Sequence, residues 1–266
     1  MDLVRRKWLA AACGLGAGVV LTGCNPSAGE GDEESDKSGS RLAASEVSAS
    51  EDLMREHGVL RRALLVYQET AVRIRASASA VEPEALQKTA KLFRVFGEDY
   101  HELKLEEAYI FPAVQKGGGM AAAYVGVLIA QHNRGRELTE YILSATTGEK
   151  FSAITAESLA RVMESLVRMY QHHAAIEDTM IFPAWKRTLT LDQMDALSEK
   201  FEEIEMQQFG KDGYEAAVRR IGDIEASLGL ADLGQFTAPP LPLTNETKAP
   251  PDKPDEKKKP EEMRRA

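Results

Sequence analysis

Residues Tyr170–Trp185 read YQHHAAIEDTMIFPAW, and the spacing of this stretch decides what kind of fold the chain makes. Leu166, Tyr170, His173, Glu177 and Ile181 recur at steps of four, three, four and four, the stripe that an amphipathic helix turns toward a core. A histidine and a carboxylate therefore occupy seam positions where a bundle helix ordinarily carries Leu or Ile. Burying such groups is costly unless they are paired or hold a cation.

An earlier stretch repeats the pattern. Tyr100–Val114 reads YHELKLEEAYIFPAV and ends in the same Ile-Phe-Pro-Ala. Glu106 to Glu177 and Pro112 to Pro183 are both offsets of 71 residues. On that offset His101 aligns with His172, one residue short of His173. His57 in REHGVL and His132 in AQHNRG precede the two copies and lie 75 residues apart. All five histidines of the chain belong to this pattern, which a duplicated helical hairpin explains.

Working outward, the first helix starts after Ser50, with a seam of Leu53, His57, Leu60, Leu64 and Ala71. Pro83 suits the first position of a second helix, which runs through Phe93 and His101 to Gly117-Gly118-Gly119, a clear break. A third helix carries Ala121, Val125, Leu128, His132, Gly135 and Ile142 in its seam, and a fourth runs from about Ala156 to Lys186. Pro112 and Pro183 each remove a backbone donor and should kink their helices or open their last turns. A further helical region, broken near Gly210–Gly213, follows from Leu191. No strand pattern appears. The expected fold is all-α, an up-down four-helix bundle over residues 50–187, with a helical extension over 188–232 and a disordered tail over 233–266.

The chain has 266 residues, 43% hydrophobic and 28% charged, which is enough to bury one good-sized core. Its net charge of −9 gives no general attraction to nucleic acid. Residues 1–23 read as a signal peptide: Arg5-Arg6-Lys7 resembles a twin-arginine region, and Leu21-Thr22-Gly23-Cys24 resembles a bacterial lipobox. Cleavage before Cys24 would leave lipid on its sulfur and hold the protein to a membrane through the flexible tether at 24–49. Cys13 leaves with the signal, so the mature domain offers neither thiol ligand nor disulfide. Asn25 after Cys24 favours the outer membrane, facing the periplasm.

One histidine thus comes from each of four helices and one glutamate from each of two. Carboxylate-plus-imidazole sets between facing helices are how such bundles hold paired transition metals. Donors of this type without thiolate suit iron, with manganese or zinc as alternatives.

The arrangement resembles a hemerythrin-like protein of the HHE cation-binding type, whose signature is His, then His-x-x-x-Glu, repeated twice. The resemblance implies a non-haem centre of two iron ions, with His57, His132, His173 and Glu177 at matching positions and His101 and Glu106 as the remaining expected ligands. It also implies a protein that binds or senses oxygen, nitric oxide or a related small ligand. A di-iron peroxidase- or oxidase-like enzyme and an iron-handling or structural module are the competing readings.

Two departures from the family pattern stand out. The first copy has His101-x-x-x-x-Glu106, with Leu105 where the usual spacing wants Glu. In an α-helix a five-residue step turns about 140°, against about 40° for four, so the two side chains would diverge. A one-residue π-bulge between them would restore a shared face. Glu102 is the fallback, and Glu107 reads as a solvated neighbour. The second departure is Arg136, where oxygen-carrying members place another histidine. His172 and Glu137 are then the remaining candidates for an outer-shell or alternative ligand role.

Overall fold

The computed structural model describes residues 47–211 and 213–241. The signal segment, Cys24, most of the tether and the end of the C-terminal tail lie outside the described residues. Among the described residues there is no strand, and the fold is the all-α bundle expected.

Four rods form the bundle. The first is α1 (Ala49–Ala76). The second joins α2 (Pro83–Leu92), a π-helical segment (Phe93–Ile110) and α3 (Phe111–Gly117). The third is α4 (Gly119–Ala145), and the fourth joins α5 (Ala153–Ile176), a shorter π-helical segment (Glu177–Ile181) and α6 (Phe182–Arg187). Each rod packs on its chain neighbours, and α1 packs along α5, so the four close into a ring. α7 (Leu191–Phe209) and α8 (Gly213–Ser227) cover the outer side of α1 and the second rod.

Local chemistry sets the ends. The Ser48 hydroxyl accepts from the Glu51 N–H, with Glu51 and Asp52 in the first turn of α1 and Arg73 and Arg75 in its last, placements that suit the helix dipole. Ser152 caps α5, and Thr190 with Gln193 forms a capping box on α7. Gly118, at φ 72°, makes the reversal between α3 and α4 that a Cβ would strain. The seam residues read from the sequence are all buried, from Leu53 and Leu60 through Leu128 and Ile142 to Leu166 and Ile181. Trp185 stacks on Phe201 at 5.9 Å, and Phe209 meets Phe96 and Tyr100, which fastens α7 to the bundle.

The π-helical segments are where the structure goes beyond the expected bulge. The first spans Phe93–Ile110 rather than a single extra residue, and a second precedes Pro183. The Phe111 and Phe182 N–H groups donate to the carbonyls of Glu106 and Glu177, five residues back. Pro112 and Pro183 follow directly. A proline ring crowds the carbonyl four residues earlier and supplies no donor, and the widened turn before each removes both conflicts. Smaller differences lie at the ends: α1 begins at Ala49, the fourth rod at Ala153, and Leu233–Phe236 forms a 3₁₀ turn inside the segment expected to be disordered. That turn is held by Asp232, whose carboxylate accepts from the Gly234 N–H at 2.8 Å.

Gly135 marks the closest approach of α4 to α5. A Cβ there would lie 2.0 Å from the Tyr170 hydroxyl, whereas one at Gly126 on the same helix meets nothing within 4 Å. Gly135→Ala is therefore expected to destabilise by about 1–3 kcal/mol through overpacking, outweighing alanine's helix preference. Gly126→Ala should stabilise by about 0.5–1 kcal/mol. Urea denaturation midpoints that shift in the same direction for both would contradict this packing.

Candidate metal centre

At mid-depth in the bundle, His57 of α1, His101 of the first π segment, His132 of α4 and His173 of α5 turn inward, all buried. The π segment matters here. With i→i−5 bonding, residues five apart share a face, so His101 and Glu106 converge, with Nε2 3.3 Å from Oε1. His173 lies before the second π segment and keeps α-helical spacing to Glu177, at 2.9 Å. The unequal spacings of the two copies thus serve one geometry.

The imidazoles meet in pairs. His57 and His101 face each other Nε2 to Nε2 at 3.0 Å, and His132 and His173 do so at 2.9 Å. Each glutamate spans both pairs. Glu106 sets Oε1 near His101 and Oε2 3.4 Å from His132. Glu177 sets Oε2 3.5 Å from His57 and Oε1 beside His173.

A shell of acceptors fixes the rings from behind. Nδ1 of His57 is 2.7 Å from Asp178, that of His101 2.6 Å from Glu56, that of His132 2.9 Å from Glu107, and that of His173 2.9 Å from the Gln131 carboxamide oxygen. In a neutral ring an Nδ1 facing an acceptor oxygen donates, which leaves Nε2 with its lone pair for a metal. Phe182 and Phe111, from the repeated Ile-Phe-Pro-Ala, stack on His57 and His132 at 5.4 Å. Tyr100 adds a hydroxyl donor to Glu56 at 3.1 Å.

The donor set fits a pair of cations. Four lone pairs and two carboxylates converge in a water-poor interior, and all four oxygens of Glu106 and Glu177 are buried without a hydrogen-bond donor aimed at them. Such an assembly is strongly unfavourable unless positive charge is shared among its members. Glu106, His132, His173 and Glu177 form one group with metal-ligand spacing, and His57, His101 and Glu106 another. A third, of Glu102, Glu107 and His132, already contains its cation, because the Arg136 guanidinium reaches Glu107 at 2.6 Å and Glu102 at 3.3 Å.

The remaining sequence candidates separate cleanly. Glu102 is buried behind the site, accepting from the Tyr170 hydroxyl at 2.6 Å. His172 is exposed, one step round α5 from His173, and takes no part. Glu137 is also exposed and pairs with Arg134 at 2.5 Å, so it fills no position in the centre. Glu107, expected to be a solvated neighbour, instead holds His132. Sequence reasoning missed Glu56, Gln131 and Asp178, although the repeat contains them: Glu56 and Gln131 precede His57 and His132, and Glu107 and Asp178 follow Glu106 and Glu177.

A cavity of about 10 Å³ touches His57, His101, His173, Glu106 and Glu177, and is walled by Leu60, Leu64 and Ala174. It has room for about one water-sized molecule. Arg61 lines it and pairs with Asp178.

The electrostatics of the metal-free chain mirror the donor set. Burial alone lowers the His101 pKa, but Glu106 and Glu56 override it and hold it well above the ordinary histidine value. Burial is likewise overcome at His132, chiefly by Glu102 and Glu106, and at His57 by Asp178 and Glu177. Burial pushes Glu177 up, yet His173, His132 and His57 hold it well below the carboxylate range, and Glu106 is also lowered. The raised histidines stabilise the metal-free fold fully below about pH 6.5, and that contribution is lost as pH rises through their folded values. The depressed carboxylates contribute above about pH 4.3, and their contribution is lost as pH falls through their folded values. Metal binding needs neutral imidazole and reverses the alkaline trend. Between about pH 7 and 9, the Tm of the chelated protein should fall by at least about 3 °C relative to the metal-loaded protein. Parallel Tm profiles would contradict this.

Comparison with known proteins agrees with the geometry. The family model described as Hemerythrin HHE cation binding domain matches residues 48–185. Two similar relatives are "Uncharacterized protein Rv1995" of Mycobacterium tuberculosis (strain ATCC 25618 / H37Rv) and "Uncharacterized protein Mb2018" of Mycobacterium bovis (strain ATCC BAA-935 / AF2122/97). Each is 43% identical over 192 residues, covering 72% of this chain and 74% of its own. No solved structure matches. By the family match, which covers more than half of its length, the chain belongs to the hemerythrin HHE cation-binding family.

Proposed function

We propose that the protein is a non-haem di-iron protein of the cell envelope that binds or senses oxygen or a related small ligand, such as nitric oxide or peroxide. The observation that carries this reading is the pairing: two imidazoles on each side, with Glu106 and Glu177 each offering one oxygen to either pair. His57, His101, Glu106, His132, His173 and Glu177 would hold the metals. Imidazole and carboxylate donors favour iron over softer-ligand metals. A bound iron pair supplies reversible electron transfer and an attachment point for a small ligand.

The chain's own residues do the rest. Asp178, Glu56, Glu107 and Gln131 keep the Nδ1 protons and so fix which nitrogen faces inward. Phe111 and Phe182 shield the rings of His132 and His57. The small cavity beside His57, with walls of Leu60, Leu64 and Ala174, suits a ligand of one or two heavy atoms and excludes larger substrates. Glu102 and Arg136 hold charge near His132 without entering the inner set. Lipid on Cys24, facing the periplasm, would place this centre at the membrane surface.

The test uses protein recovered from the membranes of expressing cells, iron-loaded and reduced, with spectra recorded under nitrogen, air and nitric oxide. Near-ultraviolet bands that appear in air and a separate response to nitric oxide are expected. Unchanged spectra under all three gases would remove the ligand-binding reading, and recovery in the soluble fraction would remove the anchor. Sustained turnover of peroxide with the iron retained would instead make it an enzyme.

A further inference from the structure

The covering helices leave a second cavity, remote from the histidine cluster. It lies between the second rod and α8, has a volume of about 410 Å³, and is lined by Lys88, Lys91, Arg220 and Asp223 over a floor of Leu92 and Ile224, with Val95 at its edge. Helical spacing builds it. Lys88, Lys91 and Val95 share one stripe of the second rod, while Arg220, Asp223 and Ile224 share the facing stripe of α8. The floor is deep, since Leu92 and Ile224 are 5% and 4% exposed, whereas Val95 is 37% exposed and forms the lip.

We propose that this groove binds a single-chain anionic amphiphile, a fatty carboxylate in particular, with its head at Arg220 and Lys91 and its chain on Leu92, Val95 and Ile224. Three observations on the groove support this. Three cationic side chains face one carboxylate in a chain whose net charge is −9, so the local field opposes that of the protein as a whole. Lys88 is engaged by Glu84 at 2.8 Å, but Lys91 reaches only the neutral Gln87 carboxamide at 3.3 Å, and neither Lys91 nor Arg220 forms an ion pair among the described residues. A guanidinium over an apolar floor is suited to a carboxylate head. The volume also lies within the usual range for small-molecule pockets, about 300–1,000 Å³, and exceeds what an inorganic anion fills. A bare phosphate would leave Leu92, Val95 and Ile224 in water, and an uncharged chain would leave the cations unused.

The groove is independent of the metal reading, and its test needs no activity. Dodecanoate, below its micellar concentration, is titrated calorimetrically into the whole chain from Cys24 onward, produced in the cytoplasm so that it carries no lipid and purified in detergent-free buffer. One saturable site is expected. The double variant Lys91→Ala/Arg220→Ala should weaken it by about tenfold or more, and Val95→Asn, at the exposed lip, by a few-fold. Circular dichroism of both variants, which change only surface positions, checks that the fold is intact. Dodecyltrimethylammonium and inorganic phosphate should fail to bind. The proposal is overturned if dodecanoate does not saturate, if the double variant binds it unchanged, or if phosphate binds as tightly and reveals a bare anion site. Adsorption to anionic phospholipid vesicles without binding of free dodecanoate would also overturn it, by showing a membrane-facing surface instead.

Discussion

Two glutamates in a dry interior govern this structure. Glu106 and Glu177 are fully buried, and a carboxylate in such surroundings is costly by several kcal/mol or more unless positive charge meets it. Every neighbouring feature supplies or conserves that charge. Imidazoles arrive from four rods, and the acceptors behind them keep the inward nitrogens basic. The apolar seams of the four rods hold them together around the centre, and the Trp185–Phe201 stack fastens α7 over them. A core of Leu and Ile at those positions would be simpler to stabilise, so the polar set is suited to holding cations rather than to packing alone.

The centre has a pseudo-twofold organisation that extends past its inner residues. Glu56 on α1 serves His101 on the second rod, and Gln131 on α4 serves His173 on the fourth. Asp178 returns from the fourth rod to His57, and Glu107 from the second rod to His132. The two halves are not equal, however. Gln131 is neutral where Glu56 is anionic, and Arg136 meets both Glu102 and Glu107 on the His132 side, whereas its counterpart Arg61 meets Asp178 on the His57 side. The cavity reaches His57, His101 and His173 but not His132. A duplicated hairpin has thus given two similar faces with different charge and access.

Much of this was legible in the sequence because burial and periodicity are local signals. The four rods follow from three-and-four spacing, and the inner histidines and glutamates stand out as polar residues in apolar stripes. The five-residue step from His101 to Glu106 pointed to a π distortion, since an α-helix would have separated the pair. The length of that segment and the second one before Pro183 were not legible, because single-sequence spacing does not report which carbonyl a proline displaces. His172 and Glu137 drew attention as chemically apt residues, yet each sits on an outward face. Glu56, Gln131 and Asp178 were hidden, and Glu107 was read as solvated, because they lie one residue from an inner residue, on a face that periodicity assigns to neither core nor solvent. The groove between the second rod and α8 depends on how a covering helix docks, which no local pattern encodes.

Glu106 and Glu177 would each serve two cations at once. Anaerobic titration of the metal-free protein with ferrous iron, with bound metal counted after buffer exchange, tests it most directly. The account predicts an endpoint of about two irons per chain, which Glu177→Gln lowers while leaving the helical content intact. An endpoint of one iron, or two that persist in Glu177→Gln, would contradict it.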